Sequence, residues 1–167
     1  MKYEYSFLLR LFLTLLSYPL LTSLFTLPTV YGTFLLSYFL DPVLQGQSII
    51  VSQIRYDIIE ACVAPLAYFI LIALTLLTKD IQMKKRIQIL SIGILSLYIL
   101  NILRISFLIY LGSEISLLLF DKVHLLIWHL FSGLAVAGIW ILLVKIFNIQ
   151  SIPFYDDLKH LYKQSAF

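Results

Sequence analysis

Four long apolar runs, separated by short polar stretches, dominate the chain: residues 7–26, 65–78, 87–111 and 123–147. Each is nearly free of charge, so amphipathic periodicity gives way to the all-round hydrophobicity of a lipid-facing helix. A bilayer crossing takes about 20 such residues. The pattern therefore predicts an all-α polytopic membrane bundle of about four full spans, with the second beginning a turn or more before residue 65, near Cys62. Between the first two runs lies "LPTVYGTFLLSYFL", 27–40, whose Pro28, Gly32 and short length predict an interfacial or half-inserted helix. Next comes "DPVLQGQSIIVSQIRYDIIEA", with turn residues Asp41, Pro42 and Gly46 followed by alternating apolar positions. It reads as an extracytoplasmic loop, 41–60, with some extended structure. Residues 1–167 form a single membrane-embedded domain, and 148–167 form a polar cytoplasmic tail in which His160 is a solvated residue.

Composition agrees with the pattern, since 61% of residues are hydrophobic and only 13% charged. At 167 residues the chain has no room for a soluble catalytic domain beside four spans, so any active site lies on the membrane helices. The N-terminal run lacks a small-residue cleavage site and reads as a retained span. A net charge of +3, gathered beside apolar runs, reports topology and excludes a nucleic-acid footprint. With four spans and a cytoplasmic N-terminus, the inner segments hold Lys2, Arg10, Lys79, Lys84, Lys85, Arg86, Lys145, Lys159 and Lys163, and the outer ones only Arg55 and Lys122. The positive-inside rule thus puts both termini in the cytoplasm of a multi-pass cell-membrane protein.

The remaining basic residue, Arg104, lies inside the third run. A guanidinium there costs roughly 2.5–3.5 kcal/mol on insertion scales, so it faces the bundle interior or a watery cavity, or else snorkels to the outer headgroups. Asn101, three residues earlier on the same helical face, is a second polar group in need of a partner. Counting from the inner charged boundary at 1.5 Å per residue puts Cys62 and Arg104 at one level, about 26 Å up, with His124 and His129 close to it. The two histidines are about 140° apart around a helix and do not share a metal; no metal or cofactor is expected. The only cysteine, a histidine and a cation suffice for thiol catalysis, in which a thiolate attacks a carbonyl, an imidazole moves the proton and a donor stabilises the oxyanion. The plainer readings stay open: Cys62 as a small buried hydrophobe, and the histidines as interfacial residues bonded to backbone or water. Asp57, Glu60 and Asp121 read as solvated loop charges, one of which could orient a histidine.

The order of "EACVAPLAYFILIALTLLT", "NILRISFL" and "FDKVHLLIWHLFSGLAVAGIW", with the tail "IPFYDD", resembles the exosortase and archaeosortase family of membrane transpeptidases over about residues 25–157. It looks closest to the short archaeal members called pacearchaeosortases. The resemblance implies Cys62 as nucleophile, Arg104 as stabiliser of the thiolate or transition state, and His124 as proton carrier. His129, in "HLFSG", is the competing base and Asn101 a supporting residue. It also implies the partners: exported substrate proteins with a C-terminal motif, transmembrane helix and basic cluster, cleaved through a thioester and passed to a lipid or lipid-linked acceptor near the extracytoplasmic face. Many family members carry Ser-Gly or Ala-Gly after the cysteine, whereas Val63, Ala64 and Pro65 stand here, with Pro65 suited to open a helix. Gly93, Ser132, Gly133 and Gly138 could seat a substrate helix or let the chain's own helices approach. Two other classes remain: a small non-enzymatic scaffold or assembly subunit with Arg104 and Asn101 as polar glue, and a transporter piece, for which no inverted repeat is visible.

Overall fold

The computed structural model describes residues 3–165, with the side chains of 4, 128–132, 160 and 163–165 outside the description. Six α-helices and a small sheet follow the order α1 (Tyr3–Leu36), β1 (Val43–Gln45), β2 (Ser48–Val51), β3 (Ile54–Asp57), α2 (Glu60–Val63), α3 (Pro65–Leu76), α4 (Met83–Tyr110), α5 (Leu117–Phe147) and α6 (Tyr155–Ser165). Among the described residues, Tyr5–Leu36 and Met83–Ile115 are long and apolar enough to cross a membrane, while Pro65–Leu76 and Gly133–Phe147 are shorter apolar stretches. The main core joins α1, α3, α4 and α5 through residues such as Leu21, Tyr68, Leu71, Ile89, Leu97 and Leu143. Gly93 is the close-approach point: a Cβ there would lie 2.7 Å from Leu71 and 3.1 Å from Leu143, so the missing side chain lets α3 and α5 press on α4. At Gly133 and Gly138 a Cβ would meet nothing within 4 Å.

Three expectations change. The separate half-inserted helix over 27–40 does not form, because α1 runs unbroken through Pro19 and Pro28 for 34 residues, roughly 51 Å, and only Tyr38–Leu40 make a 3₁₀ turn. A proline removes one helical hydrogen bond, and neighbouring helices make this tolerable in membrane helices. Separately from that lost bond, whose freed carbonyl is that of Leu24, the Tyr98 hydroxyl ties α1 to α4 by donating to the Pro28 carbonyl at 2.7 Å, and Gly32 leaves the space it needs, since a Cβ there would collide with that hydroxyl. The second concerns fold class: the 41–60 loop has the extended structure expected of it, but as an antiparallel meander of order β1-β2-β3, so the helical fold carries a small sheet. Its second turn needs positive φ at both Ser52 (49°) and Gln53 (65°), a conformation usually signalled by Gly or Asn, which is why residue type does not mark it. Ile49, Val51, Tyr56 and Ile58 face inward and form a second core with Val30 of α1 and Ile105 and Ile109 of α4.

The third is the second span, which is broken. α2 ends at Ala64 in the left-handed region (φ 57°, ψ 48°), and Pro65 then opens α3, which at 12 residues is roughly 18 Å long. Ala64 occupies the position where the resembling proteins often carry glycine, and an alanine in that conformation costs about 1 kcal/mol. Ala64→Gly is therefore expected to raise the unfolding free energy by a few tenths to about 1 kcal/mol, partly offset by the looser unfolded chain, as read by thermal unfolding in detergent.

Candidate active site

Breaking a helix strands carbonyls. The turn at Ala64 and the missing N–H of Pro65 leave the Cys62 and Val63 carbonyls without helical donors. α4 supplies substitutes: Asn101 Nδ2 donates to Cys62 O at 2.9 Å and to Val63 O at 3.5 Å, and Arg104 Nη2 donates to Cys62 O at 3.1 Å. The two polar residues one turn apart thus clamp the backbone of the short helix that carries the thiol. Arg104 is only 9% exposed, so the guanidinium is an interior group and the snorkelling reading does not hold.

The guanidinium keeps a nitrogen to spare, since its Nε has no hydrogen-bond partner among the described residues. Cys62, Arg104 and His124 line one cavity of about 420 Å³, brought there by α2, α4 and α5. Its walls are otherwise β3 with Ile58, the end of α4 (Ile105, Leu108, Ile109) and the start of α5 (Leu117, Phe120, Asp121). His124 Nδ1 is buried without a partner among the described residues, so one imidazole nitrogen is uncommitted. Its ring is steadied by an aromatic series, with Phe120 at 5.5 Å between centroids and Tyr56 a further 5.7 Å beyond Phe120. Arg104 also borders a smaller cavity of about 20 Å³ shared with Tyr68 and Asn101.

The acidic residues divide. Asp57 is held below the usual carboxylate range, first by the Ser48 hydroxyl at 2.5 Å and then by Arg55 at 2.8 Å, so it stays ionised at the rim. Glu60 turns away from the cavity and accepts from the Thr22 hydroxyl at 3.0 Å. Asp121 is exposed and borders the cavity beside His124. The side chains of His129, Ser132 and His160 lie outside the description. Tyr56 and Phe120 are additions that the sequence did not single out. Burial pushes the Tyr56 phenol up from its ordinary value, so it stays neutral in the cavity wall. Residue 120 sits one helical turn before His124, and that spacing is the signal that could have found it.

Fold and site define a helical membrane protein with a thiol, a buried guanidinium and an imidazole around one chamber at the end of the bundle that carries the sheet. The family profile of transmembrane exosortases matches residues 3–146, and the chain belongs to that family, one of membrane transpeptidases. No curated protein and no solved structure matches it.

Proposed function

We propose that the protein is a membrane cysteine transpeptidase that cleaves a C-terminal sorting signal from exported proteins and transfers them to an acceptor. The observation that carries this is the convergence of Cys62, Arg104 and His124 on one cavity. The Cys62 thiol, giving its proton to His124, attacks the scissile carbonyl, and Arg104 balances the thiolate and then the oxyanion. The tetrahedral intermediate collapses to a thioester as the C–N bond breaks, and His124 returns the proton to the departing amine. An amine or hydroxyl acceptor, lipid-linked in this reading, then attacks the thioester and restores the thiol. In this reading the chain crosses the membrane four times, and the positive-inside rule assigns the basic end with the tail to the cytoplasm and the sheet and cavity to the extracytoplasmic face, where the substrate leaves its own membrane helix.

The test is co-expression with a reporter ending in motif, span and basic cluster, taken from the same genome. Wild type shortens the reporter on a gel, and Cys62→Ala and His124→Ala each reduce processing by on the order of 1000-fold or more. The two clamps on the Cys62 carbonyl favour one other reading, in which Asn101 and Arg104 are polar glue in a non-enzymatic scaffold. Full processing by Cys62→Ala would select that scaffold.

A further inference from the structure

β3 is an edge strand: it pairs with β2 alone, and among the described residues nothing pairs with its other side. The Ile58 N–H donates to the Gln47 carbonyl at 3.0 Å. In an antiparallel pair the inward-bonding residues alternate, so Ile54 and Tyr56 turn their backbone groups toward β2, while Arg55 and Asp57 turn theirs outward. The chamber that holds Cys62, Arg104 and His124 is bordered by five successive residues, Ile54, Arg55, Tyr56, Asp57 and Ile58. Side chains of a strand alternate between its faces, so a cavity resting on one face would touch every second residue. Contact with all five puts the chamber against the edge.

We propose that the substrate segment to be cleaved binds there as a fourth strand, pairing its backbone with the outward N–H and C=O groups of Arg55 and Asp57; this rests on the transpeptidase reading above. An edge with alternate free donors and acceptors is complementary to one ligand class, an extended peptide, and the recognition mode is strand addition. The chain leaves β3 through Ile58 and Ile59 and reaches Cys62 within the next turn, so a peptide lying along the edge runs on to the thiol. Its side chains alternate as well. One set meets the apolar wall of Leu108, Leu117 and Phe120, and the other meets the Arg55–Asp57 ion pair, so the recognised segment alternates apolar and polar residues.

Disulfide mapping tests the geometry without turnover. In full-length protein carrying Cys62→Ser, which removes the only cysteine, Arg55→Cys or Asp57→Cys is paired with single cysteines walked through the reporter segment ahead of its span. Directly opposed strand positions fall in disulfide range, so cross-links are expected at every second reporter position, shifted by two between sites 55 and 57. A helical repeat of three to four, or no cross-links, overturns the proposal. Arg55→Pro removes one outward N–H and is tolerated where that group does not bond within the sheet. It is expected to slow processing by roughly 3- to 10-fold relative to Arg55→Ala, which keeps the N–H, and equal rates would count against the added strand. The Cys62→Ala assay separates the two ideas: lost processing without alternating cross-links removes the strand alone, and retained processing removes the transpeptidase reading.

Discussion

Arg104→Lys is expected to leave the protein folded and to slow reporter processing by on the order of 100- to 1000-fold. The guanidinium donates Nη2 to the Cys62 carbonyl at 3.1 Å, while its Nε keeps no partner among the described residues and the side chain lines the cavity that the thiol also borders. A lysine carries one compact ammonium on a flexible stem and cannot repeat a planar fork, so it meets the carbonyl or serves the cavity but not both. Removing one oriented donor from an oxyanion site costs about 10²–10³ in rate. The backbone break survives, because Asn101 still donates to the carbonyls of Cys62 and Val63. Reporter processing and thermal unfolding, measured on the same preparation, separate the effects. An unchanged rate with a lowered unfolding temperature would reduce Arg104 to a backbone clamp.

The second large effect lies at the opposite end of the bundle. Asp157→Ala is expected to lower the unfolding free energy by about 3 kcal/mol and to expose α6 to protease, because it leaves Arg10, largely buried, without its anion. The last carbonyls of α3 and the loop after it are served by two arginines. Arg10 donates to Leu76 O at 3.0 Å and Thr78 O at 3.4 Å, and Arg86 donates to Leu76 O at 2.5 Å, Thr78 O at 3.0 Å and Ile81 O at 3.3 Å. Asp157 of α6, fully buried, receives Arg10 through both carboxylate oxygens at 3.1 and 3.2 Å and also the Tyr3 hydroxyl. The Phe154 N–H adds a bond to Leu77 O at 2.6 Å. The C-terminal segment is thus bound to the bundle rather than a free tail. Thermal unfolding together with limited proteolysis reads the loss, and a variant as stable and protected as wild type would show the ion pair to be dispensable.

The candidate chemistry was more legible than the fold. One cysteine at the head of an apolar run, one arginine inside another and a histidine near the start of a third stand out because lipid makes polar groups expensive, so each needs a reason to be there. Helical rise alone put Cys62 and Arg104 at one level, where the carbonyl contact joins them. The boundaries were harder. Pro28 and Gly32 read as a break, yet α1 continues because Tyr98, 66 residues beyond Gly32, occupies the space the glycine leaves. Ala64, Ser52 and Gln53 adopt positive φ with no residue-type signal, since a local cost of about 1 kcal/mol per residue is small beside what packing supplies.

Composition and apolar runs by themselves determined a membrane-embedded helical chain, because burying or hiding a 61% hydrophobic sequence from water leaves few alternatives. They also singled out two candidates for chemistry, a single thiol and a single arginine deep in a span, while His124 rather than His129 was singled out only by the family resemblance. Only the tertiary structure decided that Arg104 and Asn101 hold the Cys62 backbone, that His124 joins them in a chamber, and that the edge of β3 walls it. Those relations depend on which helices become neighbours and on the pairing order of three short strands, and both follow from long-range packing that no local pattern encodes.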